Sequence, residues 1–491
     1  MEGKFYITTT IPYVNAPPHI GFALEALEAD VIARYHRSLG EEVIFSTGTD
    51  EYGAKIYERA LQEKKDPQAY VDEYVAKFED LKSALGLSYT NFVRTTSAHH
   101  KKAAQKFWQL CDQSGDIEKK LYKIKYCVGC ELEKTDSELQ DGHCPLHPNR
   151  ELEIREEENY FFKFSKYGER LLAFYEKNPD FVIPNFRFNE IKRFIEKGLN
   201  DFSISRLKEK MPWGVPVPGD EKHVMYVWFD ALVNYVSTLG WPDESKTFSE
   251  FWPGMQIAGK DQIRQQAAMW QAMLMSAGIP NSKQILIHGF INIGGEKMSK
   301  SLGNVVDPLA LASKYGTDAV RYFLARHIHP FDDSDFSIEE FEEAYNANLA
   351  NGLGNFAARI VALGEGQGKI PLKERRLSDT VAQKIESGKA ELTERFAEFK
   401  LNEAIDAIWQ LIRFGDGYVN EKKPWKKAGE KDTQAVYELA EILSSVANML
   451  APFLPETAKK IAESIDTDHP DDVFGPVMRF KKLTPLFPRL D

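Results

Sequence analysis

"KFYITTTIPYVNAPPHIGFALEALEADVIARY", residues 4–35, changes its period halfway along. Its first part is β-branched and aromatic and reads as a buried strand, while Leu24, Leu27, Val31 and Tyr35 recur at helical spacing. Pro12, Pro17 and Pro18 separate the two, so the stretch reads as strand, loop, helix. "EEVIFSTGTD" (41–50) and "AKIYERALQEKK" (54–65) repeat the unit and predict a parallel sheet covered by helices. Ligands of such sheets bind beyond the carboxyl ends of the strands, which is the rim where the His19 loop and Asp50 fall.

The alternation breaks near residue 99. "KIKYCVGCELEKTDSELQDGHCPLHPNRELE" (123–153) is polar and turn-rich, and aromatic, helix-like segments follow it. Strand patterns return in "HVMYVWFDAL" (223–232), "MQIAGKD" (255–261) and "QILIHGFINIGG" (284–295). The expected organisation is a Rossmann-like α/β catalytic domain split into 1–98 and 222–290, with an insertion at 99–221 that carries a metal knuckle. A linking segment spans 291–345, and a helix-bundle domain spans 346–491.

Composition narrows the function classes. Hydrophobic residues make up 43% and charged residues 28%, an ordinary soluble balance. The net charge of −12 excludes a protein that coats nucleic acid non-specifically, so a polyanionic partner must be met by local patches. No apolar run of about 18 residues offers a membrane span, and the strand pattern begins at once, so a cytoplasmic protein without a targeting segment is expected.

Three of the four cysteines crowd into 127–144. Cys127 and Cys130 (C-x-x-C) with Cys144 and His147 (C-x-x-H) supply four ligands on two tight turns, a set that suits one tetrahedral structural zinc. His143 is a rival fourth ligand. Because protein atoms fill every position, such a zinc would have no open site for activating a water.

"GGEKMSKSLGN" (294–304) sets Lys297 and Lys300 beside serines in a glycine-flanked loop, a composition suited to charge on a transferring phosphate. "PPHIGF" sets His19 and Gly21 at a helix start, where free N–H groups and the helix dipole favour a phosphate. In the bundle, Asn355 and Arg359 lie four residues apart on one helix face, and Pro424 and Trp425 sit within the basic "EKKPWKK".

Together these segments resemble class I aminoacyl-tRNA synthetases. Within that class, "TTTIPYVNAPPHIG", "TGTDEYG", "YVWFDAL", "GKD", "HGF", "KMSKSLGNVVDP", "LANGLGNFAAR" and "KKPW" follow the order seen in the methionyl-tRNA synthetase family. The resemblance implies activation of L-methionine by ATP, with Mg2+, to methionyl-adenylate, followed by transfer to the 3'-terminal adenosine of tRNA(Met). By the same resemblance His19, Lys297 and Lys300 are catalytic, and together with Gly21, Lys260 and His288 they bind ATP. Asp261 and Arg206 fall near the nucleotide or the reacting carboxylate. Asp50 would hold the methionine ammonium, with Ile11, Tyr13, Trp228, Leu232, Tyr235 and Gln266 around the side chain. Trp425 would stack on an anticodon base whose edge Asn355 and Arg359 read, beside Pro424.

Three histidines usual in the family are replaced, by Phe22, Tyr52 and Gln266, and Gln262 replaces an apolar residue. Losing one transition-state donor costs about 3 to 4 kcal/mol. The expectation is an active enzyme in which a glutamine or the Tyr52 hydroxyl supplies a lost hydrogen bond. Three rival readings remain at this point. A non-catalytic tRNA-binding paralogue would lose the phosphate lysines. A branched-aliphatic synthetase needs a large editing domain, and a cysteine enzyme needs a zinc in the sheet itself. With no appended domain after "LFPRLD", a monomer is expected.

Overall fold

The computed structural model describes residues 3–490, apart from 131, 135–138, 244–245, 298–304, 374, 426–432 and 472–474. The chain divides into two compact units. One comprises Met1–Pro17, Glu42–Glu79 and Tyr89–Ile287, and the other Pro18–Glu41, Asp80–Ser88 and His288–Asp491.

The first unit is built on β1 (Lys4–Thr8), β2 (Glu42–Thr49) and β3 (Asn91–Arg94), then β4 (Ile117–Cys127) and β5 (Glu153–Phe162) of the insertion, and finally β6 (Val182–Ile183), β7 (Met255–Gly259) and β8 (Gln284–His288). Its main sheet has the order β3-β2-β1-β7-β8-β6. β1 pairs in parallel with β2 on one side and β7 on the other, with Ile7 opposite Met255 and Thr8 opposite Gln256. The strand order reverses at β1, and that switch point places the ends of β1, β2 and β7 together. Aromatic side chains dominate the core: the Phe107 ring lies 5.4 to 6.0 Å from those of Phe229, Trp241 and Trp270.

The insertion differs from its polar, turn-rich sequence reading. β4 and β5 pair antiparallel over ten residues, from Ile117 opposite Phe162 to Tyr126 opposite Glu153. Both faces of this hairpin carry lysines and glutamates, so no apolar alternation marks it.

The second unit contains the helix Ile20–Ser38 and the helices beyond residue 308. The three segments of this unit meet at Arg321, which is fully buried. Its Nη1 pairs with Asp30 at 2.8 Å and donates to the Leu85 carbonyl, while Nε and Nη2 donate to the carbonyls of Phe453 and Pro452. Asp30 also accepts from Arg34 and Ser88. Breaking such a buried pair from one side is strongly destabilising, which makes this node a structural anchor. The helical third also carries a small sheet of β9 (Ile370–Pro371), β10 (Ile465–Asp471) and β11 (Gly475–Phe480).

Candidate functional site

At the switch point of the first unit, Tyr13 and Asp50 form a parallel bridge. The Asp50 N–H donates to the Pro12 carbonyl at 2.9 Å, and the Val14 N–H donates to the Asp50 carbonyl at 3.2 Å. Asp50 is buried, and its neighbour Glu51 holds the strand end rigid. Glu51 accepts from Arg94 at both oxygens, 2.8 Å each, and from Thr49 and Thr96, while Trp213 Nε1 donates to its carbonyl at 2.7 Å. Sequence reasoning passed over Glu51, Arg94 and Trp213, since their joint role exists only across the sheet.

Tyr52 stacks obliquely on Trp213, ring centroids 5.2 Å apart. Burial, and then the charges of Asp230, Glu51 and Asp50, push its phenol well above the ordinary range, so it stays a donor. Trp228 is half-buried, Leu232 and Tyr235 are buried, and Ile11 lies partly exposed on the chain leaving β1. Gln266 sits in a π-helical turn, Arg264–Met269, and its Nε2 donates to the Tyr235 hydroxyl at 2.7 Å. A glutamine thus bonds to Tyr235 at a position where the family usually carries a histidine. Lys260 follows β7 directly and is half-buried, whereas Asp261 is exposed. Arg206 is buried, donates from Nη1 to Ser203 and to the Ser205 carbonyl, and lies 4.3 Å over the Tyr226 ring.

In the second unit His19 caps the helix Ile20–Ser38, its Nδ1 accepting from the Gly21 N–H at 3.1 Å. The helix start was expected to offer free N–H groups, and its first four are all engaged. Ile20 donates to the Val306 carbonyl, Gly21 to the His19 ring, and Phe22 and Ala23 to the His19 carbonyl. What the turn presents is the exposed imidazole itself, with its hydrogen placed on Nε2. Lys297 ends the two-residue strand Glu296–Lys297; its side chain and all of Lys300 lie outside the described residues.

His288 donates from Nδ1 to the Gly289 carbonyl at 2.7 Å and from Nε2 to Glu25 at 3.0 Å. Two acceptor-only partners make it an imidazolium. Burial opposes the charge, but chiefly the bond to Glu25 overcomes it and raises the ring to about 9, Glu28 adding its charge only where it ionises. Burial, with Glu25 adding and His288 opposing, lifts Glu28 to about 8, so it is protonated at neutral pH. Both ring nitrogens of His288 are thus engaged within the protein, by the Gly289 carbonyl and by Glu25. Glu25 and Glu28 lie within a stretch of this helix, Ala23 to Ala33, that is buried throughout.

A carboxyl raised from 4.5 to about 8 favours the folded state only while protonated. Its contribution is complete below 4.5 and is lost as pH rises through 8. His288 acts in the same direction between 6.5 and 9. Glu28→Gln therefore gains melting temperature over the parent at about pH 8.5 and gains little at about pH 5. Equal shifts at both pH values in thermal melts would refute this.

In the insertion, the Sγ atoms of Cys127, Cys130 and Cys144 and the His147 Nδ1 lie within 4.8 Å of one another. Nδ1 is 3.8, 3.3 and 3.9 Å from the three sulfurs, and Cys130 lies 3.2 Å from Cys144. Zn–S bonds of about 2.3 Å and a Zn–N bond of about 2.0 Å make a tetrahedron with edges of about 3.5 to 3.8 Å, so the set fits zinc. His143 is exposed and pairs with Gln140 through its backbone, which leaves His147 as the fourth ligand. A Cβ on Gly129 would come within 2.3 Å of the His147 ring, so the turn needs glycine there. Cys111 is buried apart from the cluster.

In the helical part, Asn355 opens the helix Asn355–Glu365 and is exposed. Arg359 donates to Asn420 at 2.8 Å and lies 5.1 Å over the Trp425 ring, which is 49% exposed, while Pro424 is buried. Lys423, at φ 46°, ends the preceding helix and turns the chain into this pair.

The parallel sheet with its residues at the ends of β1, β2 and β7, the Cys/His knuckle and the helical unit define a class I aminoacyl-tRNA synthetase. The family model "tRNA synthetases class I (M)" matches residues 5–151 and 134–361, and "Anticodon-binding domain of tRNA ligase" matches 380–474. Proteins named Methionine--tRNA ligase from Thermotoga maritima and Thermosynechococcus vestitus are 40% and 41% identical, over 93% and 94% of this chain and 74% and 90% of theirs. The solved Mycobacterium tuberculosis methionyl-tRNA synthetase in complex with methionyl-adenylate superposes with a TM-score of 0.93 at 36% identity, covering 99% of this chain and 100% of that one. Its apo form gives 0.86 at 32%, covering 100% and 99%. The chain belongs to the methionyl-tRNA synthetase family.

Proposed function

We propose that the chain joins L-methionine to ATP, supplied with Mg2+, to give methionyl-adenylate and pyrophosphate, and then esterifies the 3'-terminal adenosine of tRNA(Met). Two contacts carry this reading: Tyr13 is bridged to the buried Asp50, a carboxylate for an ammonium, and Gln266 is bonded to the buried Tyr235, an aromatic wall for a thioether. In the first step a methionine carboxylate oxygen attacks the α-phosphorus and the bond to pyrophosphate breaks. Asp50 holds the ammonium and so orients the carboxylate. His19 donates from Nε2 to the departing phosphates, and Lys297 and Lys300 neutralise their charge. Lys260 and the Glu25–His288 pair serve the nucleotide. The knuckle holds one structural zinc and takes no part in the chemistry. In this reading the working species is a cytoplasmic monomer; among the described residues no helix is long and apolar enough to cross a membrane. Methionine-dependent exchange of pyrophosphate into ATP tests the activity. Purified protein that shows none, or that prefers another amino acid, would overturn it.

Arg359, Asn420 and Trp425 form a preassembled platform for an unstacked anticodon base. Stacking is worth about 1 to 3 kcal/mol per base, so Trp425→Ala should raise the tRNA KM by about 5- to 150-fold. Pyrophosphate exchange, which needs no tRNA, should keep its rate. Equal losses in both assays would remove Trp425 from this role.

A further inference from the structure

Behind Tyr235 and Gln266 lies a chain of buried polar side chains that the methionine reading does not itself use. Gln256, Gln266, Gln271, Ser282 and Tyr235 are each at most 3% exposed. Gln271 Nε2 donates to Ser282 Oγ at 3.1 Å, and Ser282 Oγ donates to Gln256 Oε1 at 2.6 Å. Gln256 Nε2 donates to Gln266 Oε1 at 3.4 Å, and Gln266 Nε2 donates to the Tyr235 hydroxyl at 2.7 Å.

Amides and hydroxyls can each be turned round, so a chain of them has two possible directions. Here one end is fixed. Gln271 Oε1 accepts from the backbone N–H of Ser282 at 3.1 Å, and a backbone N–H can only donate. The Asn281 amide nitrogen contacts the same oxygen at 3.1 Å. Gln271 must therefore present Nε2 to Ser282, whose single hydroxyl hydrogen goes to Gln256 Oε1 on its other side, which turns the Gln256 Nε2 toward Gln266. The last link makes the Tyr235 hydroxyl an acceptor from Gln266 and turns its own hydrogen away from Gln266. A second bond, from Tyr6 to the Tyr235 carbonyl at 2.8 Å, holds the backbone of the same residue.

We propose that Gln256 is a positioning residue for methionine: it transmits the direction set by the Ser282 N–H to Gln266 and so fixes how Tyr235 faces the amino-acid side chain. Gln256 reaches Gln266 from the second residue of β7, and its backbone pairs with Thr8 of β1. This proposal rests on Tyr235 and Gln266 being walls of the methionine pocket.

Gln256→Met keeps the volume and removes both polar atoms of the amide, leaving Gln266 without its donor and free to turn round. The methionine KM in pyrophosphate exchange should rise about 3- to 10-fold, with kcat and the ATP KM retained. The preference for methionine over norleucine, which has a methylene for the sulfur, should change with it, as a merely structural defect would not require. Ser282→Ala removes one hydroxyl at the other side of Gln256 and should shift the same two quantities in the same direction; it decides the matter if Gln256→Met does not fold. Tyr235→Phe separates the two levels. If Tyr235→Phe leaves the methionine KM and the norleucine ratio unchanged, the pocket reading fails. If it moves them while Gln256→Met, or Ser282→Ala in its place, does not, the relay alone is wrong.

Discussion

His19→Asn should lower the rate of pyrophosphate exchange by about 100- to 1,000-fold while leaving the methionine KM and the melting temperature close to the parent's. Asparagine is a good helix N-cap, so it can replace the ring as acceptor for the Gly21 N–H and keep the helix start intact. What it cannot replace is the reach of Nε2. The ring is fixed by its own helix, with Nδ1 occupied and the following residue, Ile20, tied through its N–H to the Val306 carbonyl. Phe22 stands where a second histidine is usual, so no other imidazole in this turn can take over the contact. The loss therefore belongs at the upper end of the range. A variant that keeps the parental rate would remove His19 from the phosphate role. One that also melts early would mean that the cap, and not the donor, had been tested.

The strand–loop–helix opening, the Cys/His spacing and the helical third were legible because each is a local pattern. Four ligands on two tight turns need no knowledge of the fold to be read as a set. The strand order was not local in this sense: β6 is only Val182–Ile183, yet it completes the sheet by pairing with Ile285 and Leu286. No sequence window could separate two such residues from a loop. The β4–β5 hairpin escaped for a different reason, since charged residues lie on both of its faces, two of them pairing as Lys119–Glu158 and Lys123–Glu156, and hide the period of two.

The chemistry followed the same division. Asp50 and Tyr235 stand out in the sequence through their motifs, but their supports are long-range. Arg94 reaches Glu51 across two neighbouring strands, and Gln256 reaches Gln266 from β7. The helix Ile20–Ser38 shows the limit most clearly. Glu25, Glu28 and Asp30 are buried, against the usual preference of carboxylates for water. Each is accounted for by a partner or a proton: His288 for Glu25, protonation for Glu28, Arg321 and Arg34 for Asp30. Sequence order also hid the division into units, because Arg321 and Asp30 join segments nearly three hundred residues apart.

Removal of the zinc is expected to unfold the knuckle while sparing the sheet. Structural zinc contributes about 10 to 16 kcal/mol of apparent binding free energy at neutral pH, and a small turn-rich segment has no core to replace it. Among the described residues of the knuckle, Cys127 and Cys144 are buried with their ligand atoms close to those of Cys130 and His147, and a bond from Lys55 Nζ to the Gly129 carbonyl at 2.8 Å ties the turn to the helix Ala54–Gln62. Without the metal, three thiols and an imidazole packed this closely would have no common partner. Metal analysis should give one zinc per chain for the parent and a clear deficit for Cys130→Ser. Limited proteolysis should then cut the variant between 127 and 150 while the rest resists. Because the ligands must shed protons to bind, acid should release the parent's zinc and open the same segment to cleavage. His143→Ala, in contrast, should keep its zinc, since His147 supplies the nitrogen. A zinc-free parent that resists protease throughout would show that packing alone holds the knuckle.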